Sequence, residues 1–186
     1  MTKWKKIESK KIYQNPLFTT EMHLVELPNG KQISDYLYLN AKDGANIVAI
    51  TEKEELILIE QYKYAINKTI LTTPGGLADS KKENLLHTAK RELLEETGYV
   101  AKKITKIGEF YPLPGNVTQK TFVFLATGCY KKSSKLSLDE TEFIKVKLIP
   151  LSKLNKLIKE NKLNDSMSLA ALTFYINNIN KNPYVK

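Results

Sequence analysis

The sequence predicts an α/β protein in which strands run into one central helix, further strands follow it, and helices close the chain. Three observations support that expectation. Short runs rich in β-branched residues alternate with turn signals on both sides of the middle. The stretch between Asn84 and Gly98 has apolar residues at helical spacing and a glycine where a helix should stop. Near the C-terminus the apolar period is helical again. With 186 residues and 42% hydrophobic content the chain can bury a sizeable core, and no shift in composition marks a second enzyme-sized unit.

In order along the chain, residues 21–27 and 31–39 flank Pro28-Asn29-Gly30, and Asn-Gly favours a tight hairpin because both residues tolerate positive φ. Residues 46–51 and 55–61 make a second hairpin about Glu52-Lys53-Glu54. A strand over 68–73 leads into the turn Thr73-Pro74-Gly75-Gly76, where backbone can approach a ligand closely because no Cβ intervenes. The central helix spans about 84–97, with Leu86, Ala89 and Leu93 as its core-facing stripe. Strands over 103–110, 120–127 and 141–149 follow, the last alternating Ile144, Val146 and Leu148 with Lys145 and Lys147. Ser152 is placed to cap a helix bearing Leu154, Leu157 and Ile158. Asp165 or Ser166 is placed to cap another bearing Leu169, Leu172 and Ile176.

The chemistry concentrates in the central helix. Arg91 is the only arginine among 29 basic residues, and a guanidinium differs from an ammonium in fixing a carboxylate with two parallel hydrogen bonds. Glu92, Glu95 and Glu96 fall at i, i+3 and i+4 and gather on one edge, with Arg91 one turn before Glu95. Like charges at that spacing repel, which suits a hard divalent cation held among them. An acidic helix with such pairs is also an ordinary solvated face. The flanks decide for a site: the Gly-Gly turn lies upstream, Glu83 stands eight residues before Arg91, and Gly98 ends the helix.

Together these residues resemble the box of the Nudix hydrolases, Gly-x5-Glu-x7-Arg-Glu-U-x-Glu-Glu-x-Gly-U, where U is bulky and apolar. Glu83, Arg91, Glu92, Leu93, Glu95, Glu96 and Gly98 match in spacing, and Tyr99 takes the last apolar place. Six residues separate Gly76 from Glu83 where the pattern has five, a lengthening that an exposed loop tolerates. The resemblance implies an α/β/α sandwich around a mixed sheet. It divides the chain into an N-terminal antiparallel strand extension, residues 1–40, which dimerises, and a hydrolase domain, residues 41–186, with the box at 75–99.

Outside the box the chain is similar to the ADP-ribose pyrophosphatase and nucleoside-diphosphate-sugar hydrolase branch. Pro114 lies sixteen residues after Gly98, where that branch places a proline. Ile12-Tyr13-Gln14-Asn15-Pro16, Leu58-Ile59-Glu60-Gln61-Tyr62-Lys63-Tyr64 and Asn164-Asp165-Ser166-Met167-Ser168 resemble its N-terminal strands, its strand before the box and the start of its last helix. Lys63 stands where an arginine is usual, and Thr72 where a glutamate commonly precedes the Pro-Gly turn.

The resemblance implies Mg²⁺, with Mn²⁺ able to substitute, bound by Glu92, Glu96 and the carbonyl of Gly75. Glu95 shares a metal or holds Arg91, and Glu83 does the same from the helix start. The branch places its general base on the loop before a late strand, where Glu140 aligns best and Glu142 second. Lys63, Gly76 and Pro114 are the implied substrate-binding residues, and Gly98 has a structural place in the box. The expected reaction is hydrolysis of the diphosphate of ADP-ribose or a related nucleoside-diphosphate sugar by a homodimer. The alternatives are a Nudix pyrophosphatase acting on RNA 5′ ends or dinucleoside polyphosphates, and a nucleotide-binding module without turnover.

Composition narrows the partners. The net charge of +9 comes from scattered lysines without a long basic run or an aromatic-basic RNA-binding motif, so nucleic acid is not an expected partner; the positive field instead favours a polyanionic small substrate. No run approaches the ~20 apolar residues that span a bilayer, and the basic N-terminus leads into no apolar signal core. The lone Cys129, read as a small buried hydrophobe, points to a reducing cytoplasm. His23 and His87 join no catalytic constellation, and Phe18, Tyr36 and Tyr38 pack in a core, at a dimer interface or on a base.

Overall fold

The computed structural model describes residues 2–138 and 143–181. Three antiparallel strands open it: β1 (Lys5–Gln14), β2 (Phe18–Glu26) and β3 (Gln32–Ala41) pair in the order β1-β2-β3. The β2–β3 hairpin lies where expected, but its turn is centred on Pro28 and Asn29: the Gly30 N–H donates to the Leu27 carbonyl, and of Asn29 and Gly30 only the glycine has positive φ, at 81. Strand β1 contains Ile12-Tyr13-Gln14, expected in a strand from the resemblance, and reaches further back than the pattern showed, because the side chains of Lys5–Lys11 are all exposed and no half-buried alternation marks them.

A mixed sheet of eight strands forms the rest. Strands β4 (Gly44–Thr51) and β5 (Glu55–Lys63) make the second predicted hairpin, and β6 (Lys68–Thr72) pairs with β5. Gly75–Leu77 is not an open turn: it is a short strand, β7, antiparallel to β4, with Gly75 opposite Asn46 and Gly76 opposite Ala45. After helix α1 (Leu85–Thr97) come β8 (Tyr99–Val100), β9 (Lys103–Phe110), β10 (Thr121–Lys131) and β11 (Ile144–Pro150). The path β11-β5-β4-β10-β8 is antiparallel except for the central β4–β10 pair, which is parallel.

Strand β4 alternates into two cores, as a strand buried on both faces must. Ile47 and Ala49 join Ala89 and Leu93 of α1, whereas Val48 and Ile50 join Leu163, Ala171 and Leu172 on the opposite face. The latter two belong to α3 (Ser166–Lys181). Burying a side chain such as Leu93 contributes about 1.5–3 kcal/mol. Before α3, a 3₁₀ turn at Leu151–Lys153 runs into the short helix α2 (Leu154–Lys159). Ser152 therefore lies inside that turn and caps nothing, since the residue preceding α2 is Lys153, without a side-chain cap. Asp165 does cap α3, accepting from the Ser168 N–H at 3.0 Å.

The loop between β9 and β10 ties the two sheets together. The Leu39 N–H donates to the Asn116 carbonyl at 2.8 Å, the Thr118 N–H to the Leu39 carbonyl at 2.9 Å, and the Tyr36 hydroxyl to the Gly115 carbonyl. No helix among the described residues is long and apolar enough to cross a membrane.

Candidate active site

Helix α1 is delimited by local chemistry. The Asn84 side chain accepts from the Leu86 N–H at 2.9 Å, and Gly98 ends the helix in the left-handed region at φ 72. A Cβ at Gly98 would also meet the Ser133 carbonyl oxygen at 2.3 Å, so backbone from another segment needs that position bare. The packed stripe of Ala89 and Leu93 fixes the helix's rotation, and that rotation turns Glu92 and Glu96 inward toward β7.

There Glu92 and Glu96 are buried, 9% and 4% exposed. The Gly75 N–H donates to Glu96 Oε2 at 2.8 Å. A Cβ at Gly76 would sit 2.2 Å from Glu92 Oε1, so only glycine lets the strand lie against that carboxylate. Arg91 organises the outer edge. Its Nη1 lies 2.9 Å from both Glu92 Oε1 and Glu95 Oε2, and its Nη2 donates to the Leu77 carbonyl at 3.1 Å and lies 3.6 Å from Asp79 Oδ1. Its Nε is buried without a hydrogen-bond partner, with Glu83 Oε1 at 4.0 Å. Burial works against the Arg91 charge, but Glu92, Glu95 and Asp79 outweigh it and raise the pKa.

The loop leading into the helix is exposed over residues 79–82. On one side the Ala78 N–H is tied to the Asp43 carbonyl, and on the other the Asp79 N–H donates to Glu83 Oε2. Glu83 therefore reaches Arg91 despite the insertion. A hydrogen bond from His87, which lies 3.0 Å away, does most to hold the Glu83 carboxyl below its ordinary value, against the cost of burial. His87 otherwise stands in solvent, and His23 is buried, stacked on Tyr38 at 4.4 Å. Cys129 is free and buried near the end of β10, and burial pushes its thiol up to about 11.

A cleft of about 330 Å³ opens beside this edge and is lined by Gly75, Gly76, Glu96 and Lys63 among others. The structure thus brings Lys63 and Gly76 together with the acidic helix. Pro114 lies elsewhere, in a second cleft with Tyr36, Tyr38 and Tyr111. Glu140 and Glu142 lie outside the described residues. Sequence reasoning passed over Asn46, Thr73 and Ser168, which form a buried polar network in the wall of the first cleft. A signal existed: Asn46 interrupts the otherwise apolar run of Ala45-Asn46-Ile47-Val48-Ala49-Ile50, where an amide costs free energy unless it is bonded.

The donor set suits a divalent cation in its chemistry. Glu92 and Glu96 offer hard carboxylate oxygens in a cradle that a Cβ at position 76 would fill. Among the described residues no three acidic, histidine or cysteine side chains already converge as ligands, and both glutamates are engaged by protein donors. A cation would compete with those donors.

A mixed sheet covered on both faces, with an arginine-organised acidic helix packed on a glycine strand at the edge of a cleft, is the arrangement these elements build. The chain belongs to the Nudix hydrolase family: the NUDIX domain matches residues 41–170, and the nucleoside diphosphate sugar hydrolase N-terminal domain matches residues 4–39. The chain is 34% identical over 170 residues, 91% of each chain, to an ADP-ribose pyrophosphatase of Bacillus subtilis. It is 31% identical over 170 residues, again 91% of each, to a methanol dehydrogenase activator of Bacillus methanolicus. A crystal structure of an ADP compounds hydrolase superposes with a TM-score of 0.83 at 24% identity, covering 98% of this chain and 97% of that one, and so shares the fold. Nudix hydrolases generally use divalent metals.

Proposed function

We propose that the protein hydrolyses the diphosphate bond of a nucleoside-diphosphate sugar, with ADP-ribose the first candidate, to give a nucleoside monophosphate and a sugar phosphate. The observation that supports this most is that the resemblance is not confined to the box: the N-terminal sheet matches a nucleoside diphosphate sugar hydrolase module, and the 34% identical pyrophosphatase is matched along 91% of both chains.

Each residue has a part in this reading. Glu92 and Glu96, with the Gly75 carbonyl, would hold Mg²⁺, or Mn²⁺ in its place. The bound cation would neutralise phosphate charge and lower the pKa of a water molecule. Arg91 fixes Glu95 and, through the Leu77 carbonyl, the end of β7, so that helix and glycine strand keep one spacing. Glu83 backs the guanidinium. Glu140, with Glu142 as second choice, takes the proton of the attacking water. Lys63 offers a cation at the cleft, although an ammonium lacks the two-pronged geometry of an arginine.

The protein is proposed to act as a homodimer through its N-terminal sheet, a reading supported by the exposure of Trp4, Ile7, Ile12, Tyr13 and Leu17 on and beside β1. A cytoplasmic setting is part of the proposal, in keeping with a chain whose lone Cys129 is free and buried. A panel of nucleotide sugars, nucleoside triphosphates, dinucleoside polyphosphates and 5′-triphosphorylated RNA, assayed with Mg²⁺ and with products identified, tests the reading. A nucleotide sugar should be preferred at least about tenfold, which requires about 1.4 kcal/mol of differential transition-state binding. A preference for the RNA would overturn it.

A further inference from the structure

Asn46 is 4% exposed and sits opposite Gly75, the residue whose N–H holds Glu96. Its environment dictates which way its carboxamide points. The Thr73 hydroxyl donates to Asn46 Oδ1 at 2.8 Å, and the Thr73 N–H donates to Ser168 Oγ at 2.8 Å. The two hydroxyls lie 3.1 Å apart. A hydroxyl has one hydrogen. With that of Thr73 spent on Asn46, Ser168 must donate to Thr73 Oγ1, and every hydroxyl hydrogen then has an acceptor. Turning the carboxamide over would reverse the chain and leave the Ser168 hydrogen without an acceptor among these partners. Ser168 is 0% exposed, which makes that arrangement costly.

The Asn46 Nδ2 is consequently left over. It makes no hydrogen bond among the described residues, yet it is not one of the sealed, unpartnered atoms, which are Thr88 Oγ1, Arg91 Nε, Thr121 Oγ1 and Asp165 Oδ1. Because Asn46 lines the cleft, the small accessible part of this side chain faces it. The group offers two donors and no acceptor, since its oxygen is occupied. A sugar hydroxyl both gives and accepts, and is matched by a residue that does the same. A non-bridging phosphate oxygen only accepts.

We propose that Asn46 is a phosphate-binding residue, held by Thr73 and Ser168 so that Nδ2 donates to a non-bridging oxygen of the substrate's diphosphate. This rests on the diphosphate reading of the cleft. Asn46 lines the same cleft as Glu96 and Lys63, and a neutral donor there binds phosphate without adding a charge that would compete with the metal.

The probe is ADP, which carries the diphosphate without a distal sugar, with binding measured by calorimetry. Asn46→Asp keeps an oxygen acceptor for Thr73 and the same shape but replaces the cleft-facing donor by an anionic oxygen. It should weaken ADP by more than about tenfold, with an unchanged circular dichroism spectrum. Asn46→Ala should weaken ADP by about tenfold. Thr73→Val frees the carboxamide to turn and should weaken ADP severalfold, and Thr73→Ser should restore it. AMP, with no diphosphate, should lose less than ADP in each variant.

If the wild type hydrolyses nucleotide sugars but both Asn46 variants bind ADP as it does, the inference fails and the functional reading stands. If ADP binding is lost as expected while no nucleotide sugar is turned over, the reading fails and the Asn46 assignment stands. A loss of ADP-ribose affinity with ADP affinity unchanged overturns the phosphate assignment in favour of the sugar. A wild type that binds no ADP overturns both.

Discussion

Arg91→Lys preserves charge and tests the two-pronged role of the only arginine. In the structure its Nη1 serves Glu92 and Glu95 at 2.9 Å each while its Nη2 holds the Leu77 carbonyl at 3.1 Å. A lysine has one nitrogen at the end of a flexible stem, so it can stay with the carboxylates or reach the carbonyl, but not bridge helix and strand. Of the two hydrogen bonds the guanidinium makes, to Glu95 and to the Leu77 carbonyl, one is lost, and such a bond from a charged group contributes about 1.5–3 kcal/mol. The Arg91 side chain is 21% exposed and that of Glu95 35%, so solvent screening brings the expected loss down to about 1–2 kcal/mol. Urea unfolding followed by circular dichroism measures this directly, because an unchanged slope with a lower midpoint reports stability alone. Turnover should fall further than stability accounts for. Leu77 ends the strand that begins at Gly75, and a misplacement of about 1 Å there can cost as much as a hundredfold. The Glu95→Gln variant and the double variant complete a cycle that isolates the pair. An Arg91→Lys protein within about 0.5 kcal/mol and twofold of wild type would refute the reasoning.

Glu96→Gln retains an oxygen for the Gly75 N–H and the same volume, so its melting temperature should stay near wild type while divalent-metal-dependent activity falls at least about a hundredfold; full activity in Mg²⁺ would remove Glu96 from the metal assignment. Glu140→Gln should lower turnover by about 10²–10⁴-fold with substrate binding retained, and Glu142→Gln should lower it less; the reverse order in initial rates identifies Glu142 as the base. The Glu83 carboxyl is held below its ordinary value in the folded protein, so its stabilising effect is present above about pH 4.3 and is lost as pH falls through the lower folded value. Wild type should therefore converge on Glu83→Gln in stability as the pH is lowered below that point, and a constant difference between them across the acid range would show that the carboxylate is not the stabilising group.

Much of the fold was legible because its signals are local. The Asn-Gly hairpin, the α1 stripe and its terminal glycine each act through neighbours in sequence, and the structure has them where the pattern put them. What was missed depends on distant partners. The Gly75-Gly76 segment has the composition of a turn and becomes a strand because β4 offers it a pairing edge. The first part of strand β1, Lys5–Lys11, with its exposed lysines, extends because β2 is alongside. Ser152 is a good capping residue in composition, but Leu151–Lys153 tightens into a 3₁₀ turn that leaves it inside.

The site divides along the same line. The acidic edge could be read because helical geometry converts a spacing of three and four into a surface, and the single arginine marked which edge mattered. The insertion before Glu83 could not be resolved from spacing, since a loop of given length admits many paths. In the structure Ala78 is pinned to Asp43 and Asp79 to Glu83, and residues 79–82 are exposed. Asn46 is the opposite case: its identity was visible, but its meaning requires Thr73 and Ser168, 27 and 95 residues apart from their partners in the network. An amide inside an apolar strand is a local conflict, and a fold tolerates one where the group is fully engaged or has a use. In Asn46 the oxygen is engaged by Thr73 and the nitrogen has no partner among the described residues, which separates the structural half of the side chain from the half proposed to meet phosphate.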